Sequence, residues 1–360
     1  MITYWVDSGG ESHFRTYLEQ RGASIRDRFL VRSYEIAEAA VEVPGGPQIF
    51  AALDQLSEVE RRLVNTLRDQ LVALDPGVPV LNDPAHCLLR PALLTRLADL
   101  GINSFRAYDP REAGGISRFP VFIRGAYDHF ANKTGLLSSP GEVQLALRSL
   151  RFQGHRPEDL LIVEYCDTSD RHGIFRKYGA TKVGETIIPV HMLAGRDWVM
   201  KGRSAVRTAD FAQESLEYAE RNPHEAWLRE VFAIAGTEFG RADYAVSENG
   251  RPQLWEINTH PSLRAHTRTF QDQQAGSIWG QIRELAHSRI REAFTALDRD
   301  QRSSTLTLPV DASLRAQAMA ARRQGQRRRK AASWWQAVYR SRLGRPVRMV
   351  LEKGLARPPS

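Results

Sequence analysis

Alternating apolar and polar residues mark the stretch 239–261, on both sides of the dipeptide Asn249-Gly250. Such alternation is typical of β-strands, and Asn-Gly favours a two-residue turn, so the stretch is predicted to form a β-hairpin. A two-residue turn pairs Asp243 with Glu256 and Arg241 with Asn258 on one face of the hairpin. The opposite, apolar face is then predicted to contain Ala242, Tyr244, Val246, Trp255 and Ile257.

The polar face of this predicted hairpin brings two carboxylates together. Side chains that face each other across a hairpin lie roughly 5 Å apart, so Asp243 and Glu256 would repel each other. A positive charge is therefore expected between them. Carboxylate and amide oxygens that converge on one point suit Mg²⁺, whose remaining ligands are usually water and phosphate oxygens. The alternative, from the hairpin alone, is a solvated face with unrelated charges.

Strands and helices are predicted to alternate along the first hundred residues. That order indicates a small parallel α/β domain at the N-terminus. The predicted strands lie at 2–6, 29–34 and 78–84, and the predicted helices at 11–22, 48–74 and 86–100.

The rest of the chain is predicted to mix both element types, which makes the fold class α/β with α+β subdomains. Ser139 is the predicted N-cap of one helix, since Pro140 and Glu142 follow it at the positions typical of a helix start. The other predicted elements are strands at 119–124, 136–138 and 160–166, an antiparallel pair at 173–192, and helices within 209–236 and 272–299.

Composition limits the class of protein. Apolar residues make up 42% of the 360 residues, and no run of 18 apolar residues occurs, so an integral membrane protein is not expected. The N-terminus shows no secretory signal pattern. The two cysteines, Cys87 and Cys166, form no CxxC or pairing pattern, which indicates a cytoplasmic location and argues against a structural zinc site.

The positive charge is concentrated at the C-terminal end. Residues 311–360 contain 13 Lys/Arg and 2 Asp/Glu, and the first 310 residues contain 37 and 40, so the body is mildly acidic. The basic residues alternate with aromatic ones, which is typical of contact with an anionic membrane surface or with nucleic acid. Such a contact is predicted through residues 315–353. The alternative is a solvated, partly disordered extension.

The segments Gly240-Arg241-Ala242-Asp243 and Leu254-Trp255-Glu256-Ile257-Asn258-Thr259-His260-Pro261 resemble the metal-binding end of the ATP-grasp ligases. That superfamily includes D-alanine ligases, glutathione synthetase and ribosomal-protein glutamate ligases. The resemblance implies an ATP-grasp fold in which Asp243, Glu256 and Asn258 hold magnesium. It also implies that Arg241 is catalytic and stabilises an acyl phosphate.

The same resemblance implies further site residues upstream of the hairpin. Arg124 stands where the family usually has a phosphate-binding lysine, and a guanidinium can also bind phosphate. Arg176 is the second implied catalytic residue. The implied cofactor-binding residues are Arg90, Arg124 and Lys133 for phosphate, Glu164, Tyr165 and Cys166 for adenine, Asp170 or Asp167 for ribose, and Lys177 for phosphate or substrate.

Four segments follow from the resemblance together with the pattern. Residues 1–110 would form the N-terminal α/β domain, 111–172 the small ATP-grasp subdomain and 173–300 the large subdomain with the metal site. Residues 301–360 would form the basic C-terminal extension.

The function implied by the resemblance is that of an ATP- and magnesium-dependent ligase. It would activate a small-molecule carboxylate as an acyl phosphate and join it to an amine, with two Mg²⁺ ions, or Mn²⁺ in their place. Three alternatives stay open: a nucleotide-binding module with impaired catalysis, a protein that acts on membranes or RNA through its basic tail, and, within the superfamily, phosphoryl transfer to an acceptor other than a carboxylate.

Overall fold

The chain forms two compact units in the computed structural model. The described residues are 1–128, 131–200, 205–263, 277–299 and 304–340, with side chains described as far as Arg327. The first unit contains Met1–Leu89 and Asp167–Met319, and the second contains Arg90–Cys166 and Ala320–Ser360. Both units combine helices with sheets, so the predicted α/β class is confirmed. The division into four segments stays a prediction.

A parallel sheet opens the first unit, as the sequence predicts. Its strand order is β2-β1-β4-β5, and every neighbouring pair is parallel. Helices α1 (Ser8–Gln20) and α2 (Glu58–Leu74) belong to the same part of the chain. The strands are β1 (Ile2–Val6), β2 (Phe29–Ser33), β4 (Gln48–Phe50) and β5 (Val80–Leu81).

The predicted helix 48–74 is wrong in its first part. Gln48–Phe50 form strand β4, which lies between β1 and β5. Helix α2 begins only at Glu58, where the Ser57 hydroxyl and the Glu60 carboxylate cap its first turn reciprocally. A strand that is buried on both faces is a short apolar run, which periodicity cannot separate from the start of a buried helix.

A short antiparallel pair joins the two ends of the first unit. Strand β3 (Ala40–Pro44) pairs with β13 (Thr305–Pro309), and helix α8 (Ala312–Arg340) follows. Leu308 of β13 is fully buried in the same apolar cluster as Val41 and Val43. Part of the segment 301–360 therefore belongs to a packed sheet.

A four-stranded antiparallel sheet carries the predicted hairpin. Its order is β10-β9-β11-β12, where β9 is Phe175–Val183, β10 is Thr186–Gly195, β11 is Phe239–Val246 and β12 is Pro252–Asn258. Both antiparallel pairs predicted from the sequence are confirmed. Helices α5 (Ala209–Arg221), α6 (Glu225–Ala235) and α7 (Ile278–Leu297) pack against this sheet.

The second unit has its own sheet and core. Strands β6 (Ala107–Tyr108), β8 (Leu160–Glu164) and β7 (Val121–Gly125) form an antiparallel sheet in that order. Helices α3 (Arg90–Asp99) and α4 (Pro140–Phe152) complete the unit, and Ser139 caps α4 as predicted. The predicted strand 136–138 is reduced to one bridge between Leu137 and Val121.

None of the helices in the described part of the chain is both long enough and apolar enough to cross a lipid bilayer.

Candidate functional site

The hairpin places the predicted metal ligands in the predicted register. Asp243 faces Glu256, and Arg241 faces Asn258. All four therefore lie on one face of the sheet, because side chains two residues apart in a strand point to the same side. Asn82, at the end of β5, holds the start of β11: its side chain accepts from Phe239 N at 2.9 Å and donates to Phe239 O at 2.6 Å.

The turn of this hairpin differs from the prediction. Ser247 N donates to Arg251 O, Gly250 N donates to Ser247 O, and Gly250 has a φ of 79°. This is a three-residue loop with a left-handed glycine, rather than the two-residue turn that Asn249-Gly250 suggested.

A β-bulge compensates for the longer loop. The register shifts between Asp243 and Tyr244, so that Tyr244 faces Leu254 and Trp255 has no partner across the ladder. One extra residue in the loop and one extra residue in β12 cancel, and Asp243 still meets Glu256. Leu254, which is fully buried, takes the place opposite Tyr244 that was predicted for Trp255.

Two cations hold the Asp243 carboxylate. The carboxylate is only 3% exposed, and Arg241 Nε lies 2.8 Å from its Oδ1, while Lys177 Nζ lies 2.7 Å from its Oδ2. Burial on its own would raise the pKa of Asp243, but the charges of Arg241 and Lys177 outweigh it and hold the pKa well below its ordinary value. The positive charge expected beside the opposed carboxylates is present, and the contribution of Lys177 to it was not predicted.

A histidine of β10, His191, also lies close to Asp243. Gly179 of β9 faces Asp243, and His191 of β10 faces Gly179. A Cβ atom on Gly179 would lie 2.5 Å from the His191 ring, so the imidazole occupies the space above this glycine. Burial, with a smaller effect of Arg241, lowers the pKa of His191 to about 3, and the ring is neutral at pH 7. A glycine inside a strand is the sequence signal for such a close approach.

The remaining two predicted ligands are also buried. Glu256 is 8% exposed and Asn258 is 7% exposed. Asn258 Oδ1 accepts a hydrogen bond from His260 N at 2.8 Å, which leaves this oxygen a second lone pair. Two facing carboxylates with an amide oxygen nearby match the oxygen donors that Mg²⁺ takes, so these residues fit the ion. Among the described residues, the hairpin included, no group of three or more His, Cys, Asp and Glu side chains is arranged to hold a metal, so the candidate ligands here are two carboxylates and one amide oxygen.

Tyrosines on the other face of the sheet hold its middle strands in place. Tyr244 OH donates to Tyr218 OH at 3.1 Å, and Tyr218 OH donates to the Gly179 carbonyl at 3.1 Å. Tyr178 and Tyr244 stack with ring centroids 5.3 Å apart, and His224 Nδ1 lies 2.9 Å from Tyr244 OH. These contacts fix β9 relative to β11, which are the strands that carry Lys177 and Asp243.

Arg176 and Asp170, two further predicted site residues, contact each other. Arg176 Nη1 lies 2.6 Å from Asp170 Oδ2, and Arg176 Nε lies 2.6 Å from Glu214 Oε1. The hydrogen bond from Arg176 is the main reason why the pKa of Asp170 falls to about 2. Both residues lie in the first unit with the hairpin, and each is already part of an ion pair.

In the second unit, the predicted phosphate-binding residues hold a loop. Arg90 is buried, and its Nη1 donates to the carbonyls of Gly125, Ala126 and Asp128 at 2.9, 3.2 and 2.8 Å. Lys133 Nζ lies 2.9 Å from Asp128 Oδ2. The contacts of Arg90 hold the backbone of residues 125–128 in place.

Around the predicted adenine-binding residues, local contacts occupy the Glu164 carboxylate. It accepts from Arg106 N at 2.9 Å and from Tyr108 OH at 2.8 Å. Tyr165 N donates to Pro120 O, and Cys166 Sγ lies 3.3 Å from Ser104 Oγ. Arg124, the other predicted phosphate ligand of this unit, lies in β7 opposite Leu161. The predicted tail contact 315–353 lies partly outside the described residues.

Comparisons with known proteins give structural likeness alone. No family model and no curated protein sequence matches the chain. D-alanyl-alanine synthetase A from Vibrio cholerae shares 12% identity, with a TM-score of 0.47 over 84% of this chain and 98% of that chain. The D-cycloserine synthetase DcsG shares 16% identity, with a TM-score of 0.43 over 80% and 99%.

A third solved structure carries the family name. It is a RimK domain ATP-grasp protein from Sphaerobacter thermophilus, with 14% identity and a TM-score of 0.43 over 81% of this chain and 98% of that chain. This is the family that the hairpin motif resembles. At these identities and TM-scores, the likeness supports no conclusion about what the chain does.

Proposed function

We propose that the chain is an ATP- and Mg²⁺-dependent ligase that activates a carboxylate and joins it to an amine. One observation carries this proposal. Asp243 and Glu256, both buried, face each other across a hairpin, and the next pair on the same face is Arg241 and Asn258. A pair of buried acids is costly unless cations compensate it, and phosphate chemistry brings such cations with the nucleotide.

In this proposal Asp243, Glu256 and Asn258 hold the metal that accompanies ATP. The ions, two Mg²⁺ or Mn²⁺ in their place, supply charge neutralisation for the β- and γ-phosphates when bound. The tyrosines beneath the sheet keep β9 and β11 in register, so the ligand oxygens are positioned before the nucleotide arrives.

The reaction has two steps, and Arg241 serves both. First, a carboxylate oxygen of the substrate attacks the γ-phosphorus, the bond to the ADP oxygen breaks, and an acyl phosphate forms. The amine then attacks the carbonyl carbon, and phosphate leaves as the amine nitrogen loses a proton. Arg241 donates Nε–H to Asp243, and its remaining N–H groups can stabilise the negative oxygens of the acyl phosphate and of the tetrahedral adduct.

The other nucleotide and substrate contacts are proposed from the sequence motif. Lys177 binds phosphate or substrate, and Arg176, which uses two of its five N–H groups for Asp170 and Glu214, has three left for a substrate oxygen. Asp170 is the proposed ribose acid. The proposed nucleotide contacts in the second unit are Arg90, Arg124, Lys133, Glu164, Tyr165 and Cys166.

The proposed setting is the cytoplasm. The reaction consumes ATP, and both cysteines are free thiols. The proposed partners are a small-molecule carboxylate and an amine, with an additional contact to a membrane surface or nucleic acid through residues 315–353.

Release of ADP and phosphate from Mg-ATP tests this function. The full chain is offered pools of amino acids, polyamines and small carboxylates, and the active pool is then divided. Glu256→Gln removes one charge from the site, and Glu248→Gln, in the exposed loop of the same hairpin, is the matched control. We expect pool-dependent release that falls at least about a hundredfold in Glu256→Gln and is unchanged in Glu248→Gln.

Two results would count against the proposal. Equal turnover in Glu256→Gln and Glu248→Gln would show that the hairpin face takes no part in the reaction. Binding of Mg-ATP with no release in any pool would favour the nucleotide-binding module over the ligase.

A further inference from the structure

Both carboxylate oxygens of Asp243 are already bound by protein cations. Arg241 Nε lies 2.8 Å from Oδ1, with Nη2 at 3.5 Å from Oδ2, and Lys177 Nζ lies 2.7 Å from Oδ2. A metal ion that binds Asp243 has to share or replace one of these contacts. The carboxylate of Asp243, a ligand that the proposed function requires, is therefore already paired with two side chains of the same protein.

Of the two cations, Lys177 is the one that can leave. Arg241 lies on the same strand as Asp243 and contacts both oxygens with a planar, forked group. Lys177 reaches Asp243 from the neighbouring strand with a single Nζ contact, at the end of a flexible four-carbon side chain.

The position of Lys177 in the sheet also shows that it reaches Asp243 diagonally rather than from the directly opposite position. In the ladder Lys177 faces Ala245, while the residue that faces Asp243 is Gly179, which has no side chain. The lysine therefore extends diagonally to the next pair, a distance that only a long side chain spans. Its side chain is 26% exposed, so water can solvate the ammonium group when it leaves the carboxylate.

Electrostatics favours an exchange over shared binding. A divalent cation and an ammonium group on one carboxylate oxygen would lie a few ångströms apart and repel each other in a partly buried site. Once released, Nζ carries three donors and lies next to the place where the metal brings phosphate oxygens.

We propose that Lys177 is an exchangeable counter-ion of the metal site. Before the nucleotide binds, Lys177 neutralises Asp243 and so keeps two facing acids compatible with the fold. When Mg²⁺ arrives with ATP, Lys177 gives up Asp243 and donates to an oxygen of the phosphate or of the substrate carboxylate. This inference rests on the proposed function, since it assumes that Asp243 binds the metal.

Binding of Mn²⁺ alone, without nucleotide, is the first test. The full chain is titrated with Mn²⁺, and the free ion is measured by electron paramagnetic resonance. Lys177→Met keeps the length of the side chain and removes the competing charge, so we expect it to bind Mn²⁺ at least about tenfold more tightly than the wild type. Lys177→Arg keeps the charge and is expected to bind the ion as weakly as the wild type.

Lys182→Met is the matched control. Lys182 also belongs to β9, but it is buried and lies on the opposite face of the sheet, with Nζ 5.7 Å from the centre of the Phe232 ring. Its substitution is expected to leave Mn²⁺ affinity unchanged.

Binding of Mg²⁺ with a non-hydrolysable ATP analogue gives the second test. Because the released lysine would contact the nucleotide or the substrate, Lys177→Met is expected to bind this complex about tenfold more weakly than the wild type. The same variant thus changes the two affinities in opposite directions, which a lysine with a purely structural role would not do.

The outcomes separate this inference from the proposed function. The inference is overturned if Lys177→Met binds Mn²⁺ no more tightly than the wild type while the wild type binds Mg²⁺ with the analogue in an Asp243-dependent way. If Asp243→Asn alters neither affinity, the metal site itself is absent, and the inference falls together with the proposed function.

Discussion

At the scale of single residues, Gly179 decides what lies beside the two acids. Its missing side chain leaves room for the His191 ring above β9, next to Asp243. The neutral imidazole adds no charge to a site where Lys177 and Arg241 already balance Asp243 and Glu256. The position therefore requires glycine because of a close approach, and not because of its backbone conformation.

Gly179→Ala is expected to destabilise the fold by about 1 to 3 kcal/mol, because the added methyl group overlaps the imidazole. Urea unfolding measures this cost. The double variant Gly179→Ala/His191→Ala should recover most of the lost stability, because the overlapping ring is then absent. Gly114→Ala is the control, since a Cβ atom there meets nothing within 4 Å. Equal stability of Gly179→Ala and Gly114→Ala would contradict the packing described for His191.

The contact between Lys177 and Asp243 could not be predicted from the sequence. The sequence places Lys177 on the same face of β9 as Gly179 and Thr181, but it does not show which residue of the neighbouring strand the long side chain reaches. The opposed pair Asp243 and Glu256 was predictable, because alternation and turn position fix it within one hairpin. The diagonal contact depends on the register of β9 with β11, whose paired residues lie far apart in the sequence, from Phe239 with Val183 to Ala245 with Lys177.

At the scale of elements, the register of the hairpin at Asp243 and Glu256 was predicted correctly although its turn was not. The predicted two-residue turn is a three-residue loop, and the bulge at Trp255 restores the pairing beyond it. Alternation could not reveal the bulge, because Leu254 and Trp255 are both apolar and either one fits opposite Tyr244. The short strand β4 was missed for a similar reason, since a run of three buried residues has no readable period.

This loop requires a glycine at position 250, because the φ of Gly250, 79°, lies in the left-handed region. Gly250→Ala is expected to lower stability by about 1 kcal/mol, and Gly250→Asn by less, since asparagine tolerates this conformation better. Unfolding in urea would rank the two variants. An alanine variant as stable as the wild type would mean that the loop adopts another turn in solution.

At the scale of the whole molecule, regions far apart in the sequence join in one unit. Strand β13 adds to β3, and the buried Leu308 belongs to the core of the N-terminal part of the chain. The sequence analysis assigned this strand to the C-terminal extension, because a single short alternating stretch such as Thr305–Pro309 does not indicate a distant partner like β3. The parallel sheet was predictable from its alternation of strands and helices, and each hairpin of the antiparallel sheet from local sequence patterns, whereas the pairing of β9 with β11 that joins the two hairpins was not.

Stability is expected to fall in mild acid because of His287. This histidine is buried in α7, and burial, with a further effect of Arg21, lowers its pKa to about 4. The unfolded chain takes up the proton near pH 6.5, so between about pH 6.5 and 4 the unfolded state binds more protons and the fold loses stability as pH falls. The loss from this group at pH 5 is about 2 kcal/mol.

Urea unfolding at pH 7.5 and pH 5 measures this dependence. His287→Gln should reduce the difference between the two pH values, and His172→Gln, at an exposed position, should leave it unchanged. A pH dependence that is identical in His287→Gln and in the wild type would contradict the assignment.

Calorimetric titration with a non-hydrolysable ATP analogue, with and without Mg²⁺, tests the central claim most directly. The claim is that the Asp243 and Glu256 face of the hairpin binds the metal that accompanies ATP. The wild type and Glu248→Gln are expected to bind the Mg²⁺ complex alike, and Glu256→Gln to bind it at least about tenfold more weakly. Binding that does not depend on Mg²⁺, or that is unchanged in Glu256→Gln, would contradict the claim.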